Sequence, residues 1–314
     1  MAYTNTTTLA DSVKTAFDQT AYFALRSQPL FEMIADVRST AQSHNGSGVQ
    51  FTFYADMAQA TSALTEGTDV TAVALTDSAV TVTLAEYGNA VITTAKLRGT
   101  SFLNVDADAA NIVGYNMADS MDKIVSDVAN AGTNVNYSGG AANRGALTTG
   151  DEYNSGDGRK AVAQLRSRNA PGWENGNYMA IIHPDVSYDL RSDNTVTDVI
   201  QYQLYQDGAP IRAGSIGTFN GIEYIENPRA GLIADGGNAN FDCYQTLIVG
   251  RQALAKAFSR APGFGSDPSI VVGPVTDTLR RFNPIGWYHL VGYGIFRDDC
   301  MQRVESISSI GANT

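Results

Sequence analysis

Three histidines are the side chains best suited to acid–base chemistry in this sequence. His44 lies in a predicted turn, His183 precedes a proline, and His289 alternates with apolar residues in a predicted strand. His183 and Asp185 could serve a hydrolase-type triad, because the members of a triad need to meet only in space. However, the sequence contains no GxSxG nucleophile elbow and no cysteine in a recognisable catalytic setting. We therefore predict a structural role for each histidine, no catalytic residue and no enzymatic activity.

Patterns for metals and cofactors are equally sparse. Asp298 and Asp299 are adjacent carboxylates, but no third carboxylate or histidine stands at ligand spacing, so we expect a polar strand connection there. GFGSDP at residues 263–268 lacks the third glycine and the helix start of a dinucleotide fingerprint, and the chain has no GxxxxGK[ST] loop. Neither Cys243 nor Cys300 belongs to a CxxC pair, which favours buried apolar roles for both. The sequence thus predicts no metal site and no cofactor.

The composition limits the partners of the chain. Charged residues make up 17% of its 314 residues and the net charge is −11, with no long block of Lys or Arg. Tight, sequence-independent DNA binding rests on neutralising phosphates, so we predict at most weak and non-specific contact with DNA. No apolar run reaches eighteen residues and no signal peptide is evident, so we expect a soluble chain made in a cytoplasm, without membrane contact. The many uncharged polar residues are typical of surfaces that meet other protein.

The element around which the rest is organised is a long helix predicted over residues 104–132. Asn104 or Asp106 can cap its start, and Asn130 and Gly132 can end it. Its apolar residues recur at steps of three and four, which places them on one face. They are Ala109, Val113, Met117, Met121, Ile124 and Val128. We expect this stripe to be fully buried against a sheet of its own chain.

Residues 49–97 predict a long β-hairpin. VQFTFY and VTVTLAEYGNAVITT alternate as half-buried strands do, and a polar stretch with turn signals separates them. The tip of such a hairpin cannot bury much of itself, because few large apolar groups stand between the two strands. A long exposed hairpin needs a partner surface, since unpaired edges invite association.

After the helix we predict a Gly-, Asn- and Ser-rich linker and then mixed elements. We expect helices at 157–168, from Pro184 through DVSYDLRSD, at 195–206 and at RQALAKAF, strands at 178–184 and 244–250, and a hairpin at 216–228 turning at Asn220-Gly221. From Ile270 onward the pattern predicts closing strands that pair with one another and form the sheet beneath the long helix.

Four stretches of this second half carry a family resemblance. They are AIIHPDVSYDLRSD at 180–193, IGTFNGIEYIENP at 216–228, TLIVGRQALAKA at 246–257 and GWYHLVGYGIFRDDCMQRVES at 286–306. With the order of the parts before them, they resemble the major capsid proteins of tailed bacteriophages, which share the Hong Kong 97-type capsid fold. The branch of that family which they resemble begins directly at an N-terminal arm, without a long scaffolding segment.

The resemblance implies an α+β fold of five parts. They are an N-terminal arm and helix (1–48), an extended loop or E-loop (49–97), a peripheral or P-domain spine helix with its linker (98–156), an axial or A-domain of α/β type (157–265) and P-domain closing strands (266–314). The namesake fold can carry a lysine–asparagine cross-link made by a glutamate. Lys96 lies near the base of the hairpin, but no Asn or Glu partner is assigned, so no cross-linking residue is carried over.

The function that the resemblance implies is self-assembly into the icosahedral shell of a tailed bacteriophage, around double-stranded DNA. The expected partners are many copies of the chain itself in pentamers and hexamers, with scaffold, decoration and portal proteins as further candidates. The expected location is the virion, after assembly in the host cytoplasm. Two alternatives remain: an encapsulin-like nanocompartment around an enzyme cargo, and a hydrolase-type enzyme using His183 with Asp185. A neighbouring cargo-enzyme gene would favour the first, and an activity lost on His183→Ala the second.

Overall fold

A computed structural model describes residues 26–39, 47–101, 103–173, 176–192, 216–258, 269–273 and 277–310. The predicted first helix, the helix at 195–206, His44 and the GFGSDP stretch lie outside these ranges. The described helices and strands are mixed along the chain. In chain order they are β1 Ala35–Ser39, β2 Gly48–Tyr54, β3 Asp77–Thr83, β4 Ala85–Thr94, α1 Ala95–Thr100, α2 Val105–Asn130, β5 Val135–Tyr137, α3 Ser155–Ser167, β6 Tyr178–Ile182, α4 Pro184–Ser192, β7 Gly217–Phe219, β8 Ile222–Glu226, β9 Gly231–Ile233, β10 Cys243–Val249, β11 Leu254–Phe258, β12 Ser269–Val272, β13 Phe282–Ile295 and β14 Met301–Ser306.

These strands form two large sheets and one separate hairpin. The first sheet has the order β1-β11-β13-β12, and β4 also pairs with β13. The second has the order β5-β14-β10-β6-β8-β7, and β9 also pairs with β10. β2 and β3 pair only with each other. The first sheet is therefore built mainly from strands near the two ends of the chain, and the second mainly from strands of its middle.

The long helix α2 packs on both large sheets. Its start is capped by Asn104, whose side chain accepts a hydrogen bond from the Ala107 amide, as one of the two predicted caps requires. Towards this end Ala109, Val113 and Met121 are buried against Ile285, Trp287 and Val291 of β13. Towards the other end Val125 and Ala129 are buried in the larger core around the second sheet.

The predicted burial of the α2 stripe is confirmed at Ala109, Val113 and Met121 and is wrong at the other three positions, which are only half-buried. Met117 and Ile124 are half-buried beside the β13 cluster, and Val128 is half-buried beside the larger core. The fully buried positions move to Val125 and Ala129. The physical reason is that the helix leaves one sheet and meets another, so the face that is covered rotates along its length.

Most other local predictions are confirmed. The helix beginning at Pro184, the strands β6 and β10, and the helix α3 lie where the pattern put them. The Asn220-Gly221 hairpin joins β7 to β8 with positive φ at both residues (53° and 78°), as a type I′ turn requires.

One prediction of secondary structure and two predictions of strand pairing are wrong. RQALAKAF is not a helix, because Leu254–Phe258 forms β11 between β1 and β13. The predicted single hairpin over 49–97 divides, because only β3 pairs with β2, whereas β4 pairs along its whole length with β13. The closing strands are also split: β12 pairs with β13, but β14 joins the second sheet. In each case the deciding partner is distant in sequence and leaves no local signal.

Candidate functional site

The one catalytic pair considered from the sequence, His183 and Asp185, does not form a triad. The Asp185 backbone N–H donates to His183 Nδ1 at 3.3 Å, so this nitrogen is an acceptor and cannot orient the ring by donating to the carboxylate. The Asp185 carboxylate instead accepts from the Tyr244 hydroxyl at 2.8 Å. Burial lowers the pKa of His183, and the nearby Asp185 carboxylate only partly opposes this. The arrangement fixes the start of α4 and supports a structural role.

The remaining candidates are also placed in structural settings. His289 is buried on β13. Asp298 accepts hydrogen bonds from the Thr133 amide (3.2 Å) and the Asn134 side chain (3.0 Å), which ties the α2–β5 connection to the turn before β14. Cys243 and Cys300 are buried, and burial raises the pKa of both thiols, that of Cys243 to about 12. In the described ranges no group of three or more His, Cys, Asp or Glu is placed to hold a metal.

A cleft of about 620 Å³ lies between the end of α2 and β9. Its arginines are already engaged. Arg229 donates to Asp122 at 2.8 Å and also pairs with Asp119, and Arg144 donates to Glu305 at 2.6 Å. The charges of this cleft therefore hold the fold together and do not converge on an open centre.

A buried charge cluster joins α2 to the second sheet. Glu305 on β14 is fully buried and accepts hydrogen bonds from Arg144 (2.6 and 2.8 Å), Arg303 (2.9 Å) and Gln245 (3.1 Å). Burial alone would raise the pKa of Glu305, but the bonds from Arg144 and Gln245 and the charge of Arg303 lower it overall. Arg303 also donates to the carbonyls of Asn130 and Gly132 (3.2 Å for Gly132), at the negative end of the α2 dipole. The cluster thus caps the long helix.

A second buried carboxylate holds the segment by which the N-terminal region enters the fold. Asp122, at the middle of α2, accepts from the backbone amides of Leu30 (2.6 Å) and Phe31 (2.5 Å) and from Arg229 (2.8 Å). Nearer the helix start, the Tyr115 hydroxyl donates to the Ser27 carbonyl at 3.2 Å. The chain from residue 26 to residue 31 therefore runs along α2 in a defined direction.

The most exposed part of the described chain is the tip of the β2–β3 hairpin. Residues 55–76 contain no helix or strand and are exposed throughout. Large apolar side chains among and beside them reach exposures from 58% to 77%. They are Tyr54, Met57, Leu64, Val70, Val73 and Leu75. Exposed apolar groups gathered on one extended segment mark a contact with another molecule, since leaving them in water forgoes their burial energy.

The base of the same hairpin is seated firmly on its own subunit. Phe51 and Val82 pack on Ala255 and Ala257 of β11, on the sheet face opposite α2. Gly292 is paired with Ala257, and a Cβ at Gly292 would stand 2.3 Å from the Thr83 carbonyl oxygen. Small residues thus form a floor that lets the hairpin cross the sheet closely.

An aromatic group fixes the direction in which the hairpin leaves this floor. Phe296 lies 5.8 Å from the Phe51 ring and 6.0 Å from the Phe53 ring, between centroids. The Arg297 guanidinium lies 5.7 Å from the Phe53 ring, at the cation–π distance. A base held by this aromatic group and by the small-residue floor, with an unsupported tip, is the geometry of an element that reaches away from its subunit.

Sequence reasoning missed the residues that matter most to this arrangement. Asp122 interrupts the apolar stripe of α2, and Arg303 and Glu305 stand among the buried residues of β14. A charge within a run that is otherwise buried is a signal for a paired, structural ion. The small-residue floor around Gly292 could not be recognised, because what crosses it comes from another part of the chain.

The chain matches a family model and several solved structures. A family model described as "Phage capsid protein" matches residues 6–310. Among solved structures, the capsid of Ralstonia phage GP4 shares 13% identity at a TM-score of 0.73, over 95% of this chain and 96% of that chain. The head structure of Helicobacter pylori bacteriophage KHP40 also shares 13% identity at 0.73, over 98% of each chain. The capsid of Cyanophage P-SCSP1u shares 17% at 0.71, over 95% of this chain and 94% of that chain. A search of curated proteins finds no match.

Proposed function

Because this chain belongs to the phage capsid protein family and is a major capsid protein, we propose that its copies close an icosahedral shell of pentamers and hexamers around double-stranded DNA. The fold, mixed helix and sheet, matches phage capsid folds. The observation that carries the proposal is the hairpin tip at residues 55–76, whose large apolar side chains are exposed on a base held by its own subunit.

In finer detail, we propose the division of the Hong Kong 97-type fold for this chain. Residues 1–48 act as the arm, 49–97 as the E-loop together with the strand β4 by which it returns to the first sheet, 98–156 as the P-domain spine and linker, 157–265 as the A-domain and 266–314 as the closing strands. The seat of the hairpin base supports an E-loop that projects from the P-domain, and the Asp122 bonds support an arm that leaves along the spine. Residues that reach away from one subunit would join neighbours into rings and rings into a shell.

The proposed partners follow from charge and family. Copies of the chain are the main partner, scaffold, decoration and portal proteins are further ones, and assembly takes place in the host cytoplasm before the protein is part of the virion. A net charge of −11 per copy makes contact with packaged DNA weak and non-specific, since phosphates are repelled. In the described ranges no helix is long and apolar enough to cross a membrane.

The test removes the hairpin tip and leaves its base intact. From the sequence we predict that deleting residues 60–78 leaves a folded monomer that fails to assemble. The structure refines the deletion, because the β2–β3 ladder ends at Tyr54–Asp77 and is closed by the Ala55 amide donating to Thr76 at 3.0 Å. Replacing residues 57–75 with one glycine would leave an Asp56-Gly turn, a favoured two-residue hairpin connection.

We expect closed shells from the full chain in negative-stain images and only monomers or small oligomers from the shortened chain. Matching melting temperatures of the two monomers would be the control for folding. Shells of native size from the shortened chain would contradict the role of the tip, and a full chain that never forms shells would contradict the function. Nuclease-protected DNA in shells from infected cells would separate a phage capsid from a cargo compartment.

A further inference from the structure

Strand β4 is an edge of the first sheet. It pairs with β13 on one side, and among the described strands none pairs with its other side. β11 lies on the opposite side of β13, because Val291 is paired with Ala85 on one side and with Phe258 on the other. β12 lies on that side too, because Ile285 is paired with Val91 on one side and with Val272 on the other. The edge spans Ala85–Thr94, which is long for an edge strand.

The hydrogen-bonding direction of each β4 residue can be assigned. The Ala95 amide donates to the Arg281 carbonyl at 2.7 Å, so position 95 faces β13, and residues 85, 87, 89, 91 and 93 face it too, because direction alternates in an antiparallel pair. The β13 side agrees: the Pro284 carbonyl accepts from Gly273, on the side away from β4. Glu86, Gly88, Ala90, Ile92 and Thr94 therefore point their amides and carbonyls outward. Of these amides, that of Ala90 is held by the Asn89 side chain at 2.9 Å.

This edge has few of the features that protect natural edges from pairing. Lysine, proline and bulges are the usual protection. The β4 sequence, AEYGNAVITT, has neither lysine nor proline and a single charge, Glu86. Val91 and Ile92, on its two faces, are 42% and 60% exposed. Such an edge is a template for an added strand.

The hairpin tip contains a segment suited to be that strand. Residues 68–76, TDVTAVALT, are rich in β-branched residues, and among the described residues they belong to no strand, although the Thr76 carbonyl accepts from the Ala55 amide. Their large apolar side chains, Val70, Val73 and Leu75, are exposed. With about ten residues in each limb of the tip, at roughly 3.3 Å per residue, the segment can reach about 30 Å from the hairpin base.

We propose that residues 68–76 of one subunit add as a strand to the outer edge of β4 in a second copy of the chain. The proposal rests on the proposed function. It specifies that the hairpin contact is a strand addition and that the surface that receives the strand is the edge of β4. Backbone hydrogen bonds would supply much of the contact, and the alternating side chains would lie beside Val91 on one face and Ile92 on the other. Asn89 would release the Ala90 amide when the added strand extends past it.

The first test uses proline at an outward position. Ile92→Pro removes only the outward amide, so the ladder to β13 keeps its bonds, whereas Ile92→Thr keeps the amide and a β-branched side chain. We expect both full-length variants to fold, with Ile92→Thr forming shells and Ile92→Pro yielding at least tenfold fewer. Wild-type shell yields from Ile92→Pro would overturn the proposal.

The second test does not depend on how well the proline variant folds. The backbone amide and carbonyl of Val91 point towards β13. Val91 would therefore occupy a non-hydrogen-bonded position opposite an added strand, where Cα atoms about 4.5 Å apart allow a disulfide. Val91→Cys is combined in turn with a cysteine at each position from 69 to 75, and assembled particles are oxidised and run without reductant. The native thiols are buried, which keeps the background low.

We expect cross-linked dimers at alternate donor positions only, because the side chains of an added strand alternate between two faces. Absence of cross-links in well-formed shells, cross-linking at every position alike, or a link within one chain would each overturn the strand addition. The first outcome leaves the capsid function standing, since shells have formed, whereas wild-type protein that forms no shells contradicts the proposed function itself.

Discussion

At the scale of single residues, the fold is held at two points by buried carboxylates on or near α2. Glu305 accepts hydrogen bonds from Arg144 and Arg303. Asp122 accepts hydrogen bonds from backbone amides of the segment by which the N-terminal region enters the fold. Burying a charge is costly unless partners satisfy it, and removing one partner leaves the other uncompensated. These two acids are therefore the positions where a small change should have the largest effect on stability.

Glu305 predicts a dependence of stability on pH. Its pKa in the folded chain lies below the ordinary value of 4.5, so the stability it contributes is present above about pH 4.5 and is lost as the pH falls through the folded pKa. Glu305→Gln should cost about 3 kcal/mol at pH 7 and flatten the loss of stability in acid. Urea unfolding of the monomer from pH 3 to pH 7 measures both effects. Glu223→Gln, at an exposed position on β8, is the matched control and should leave the curve unchanged.

Asp122 predicts a local effect on the entering segment. Asp122→Ala leaves the Leu30 and Phe31 amides and Arg229 without their acceptor, which should cost about 2–4 kcal/mol. Limited proteolysis should then cut faster at Arg26, because residues 26–31 lose their hold on α2. Asp127→Ala, exposed on the same helix, serves as the control. Equal cleavage rates in the two variants would show that Asp122 does not anchor the segment.

At the scale of elements, the three strands β2, β3 and β4 follow one another in the chain but do not form one sheet. β4 is a strand of the first sheet. β2 and β3 cross the face of that sheet that lies opposite α2, on a floor of glycine and alanine. The hairpin is thereby rigid at its base and unsupported at its tip. The direction of the tip depends on how closely the base can approach the floor.

The floor can be tested at Gly292. A Cβ there would meet the Thr83 carbonyl at 2.3 Å, so Gly292→Ala should lift the hairpin base and cost roughly 1–3 kcal/mol. Gly99→Ala is the control, because a Cβ at Gly99 meets nothing within 4 Å. We expect a lowered melting temperature and fewer shells for Gly292→Ala alone. Unchanged shell yield with a lowered melting temperature would separate the floor from assembly.

At the scale of the whole molecule, charge governs how a shell subunit meets its contents. With a net charge of −11 and no basic block, the free subunit should not bind double-stranded DNA at physiological salt. A gel mobility-shift assay with purified monomer, at about 50 and 150 mM salt, measures this. Binding that weakens steeply with added salt would instead reveal a basic surface and contradict weak contact with packaged DNA.

The sequence by itself determined what depends on neighbours along the chain. The cap at Asn104 and the three- and four-residue steps predicted α2, and Asn220-Gly221 predicted the turn between β7 and β8. The order of the parts and four stretches of the second half resemble the capsid proteins of tailed bacteriophages, which implied a shell protein, and the family match agrees. The cap, the helical steps and the turn are local signals, so one sequence is enough to recognise them.

Tertiary structure alone decided what depends on partners far along the chain. Leu254–Phe258 has a helix-like composition but is a strand, because β1 and β13 on either side supply its hydrogen bonds. β4 leaves the predicted hairpin for the same reason, since its pairing with β13 extends along the whole strand. Asp122 becomes an anchor only because the segment around Phe31 returns to it. Backbone groups are paired by whichever residues lie close in the folded chain, and the local sequence around a residue does not identify a partner that is distant in sequence.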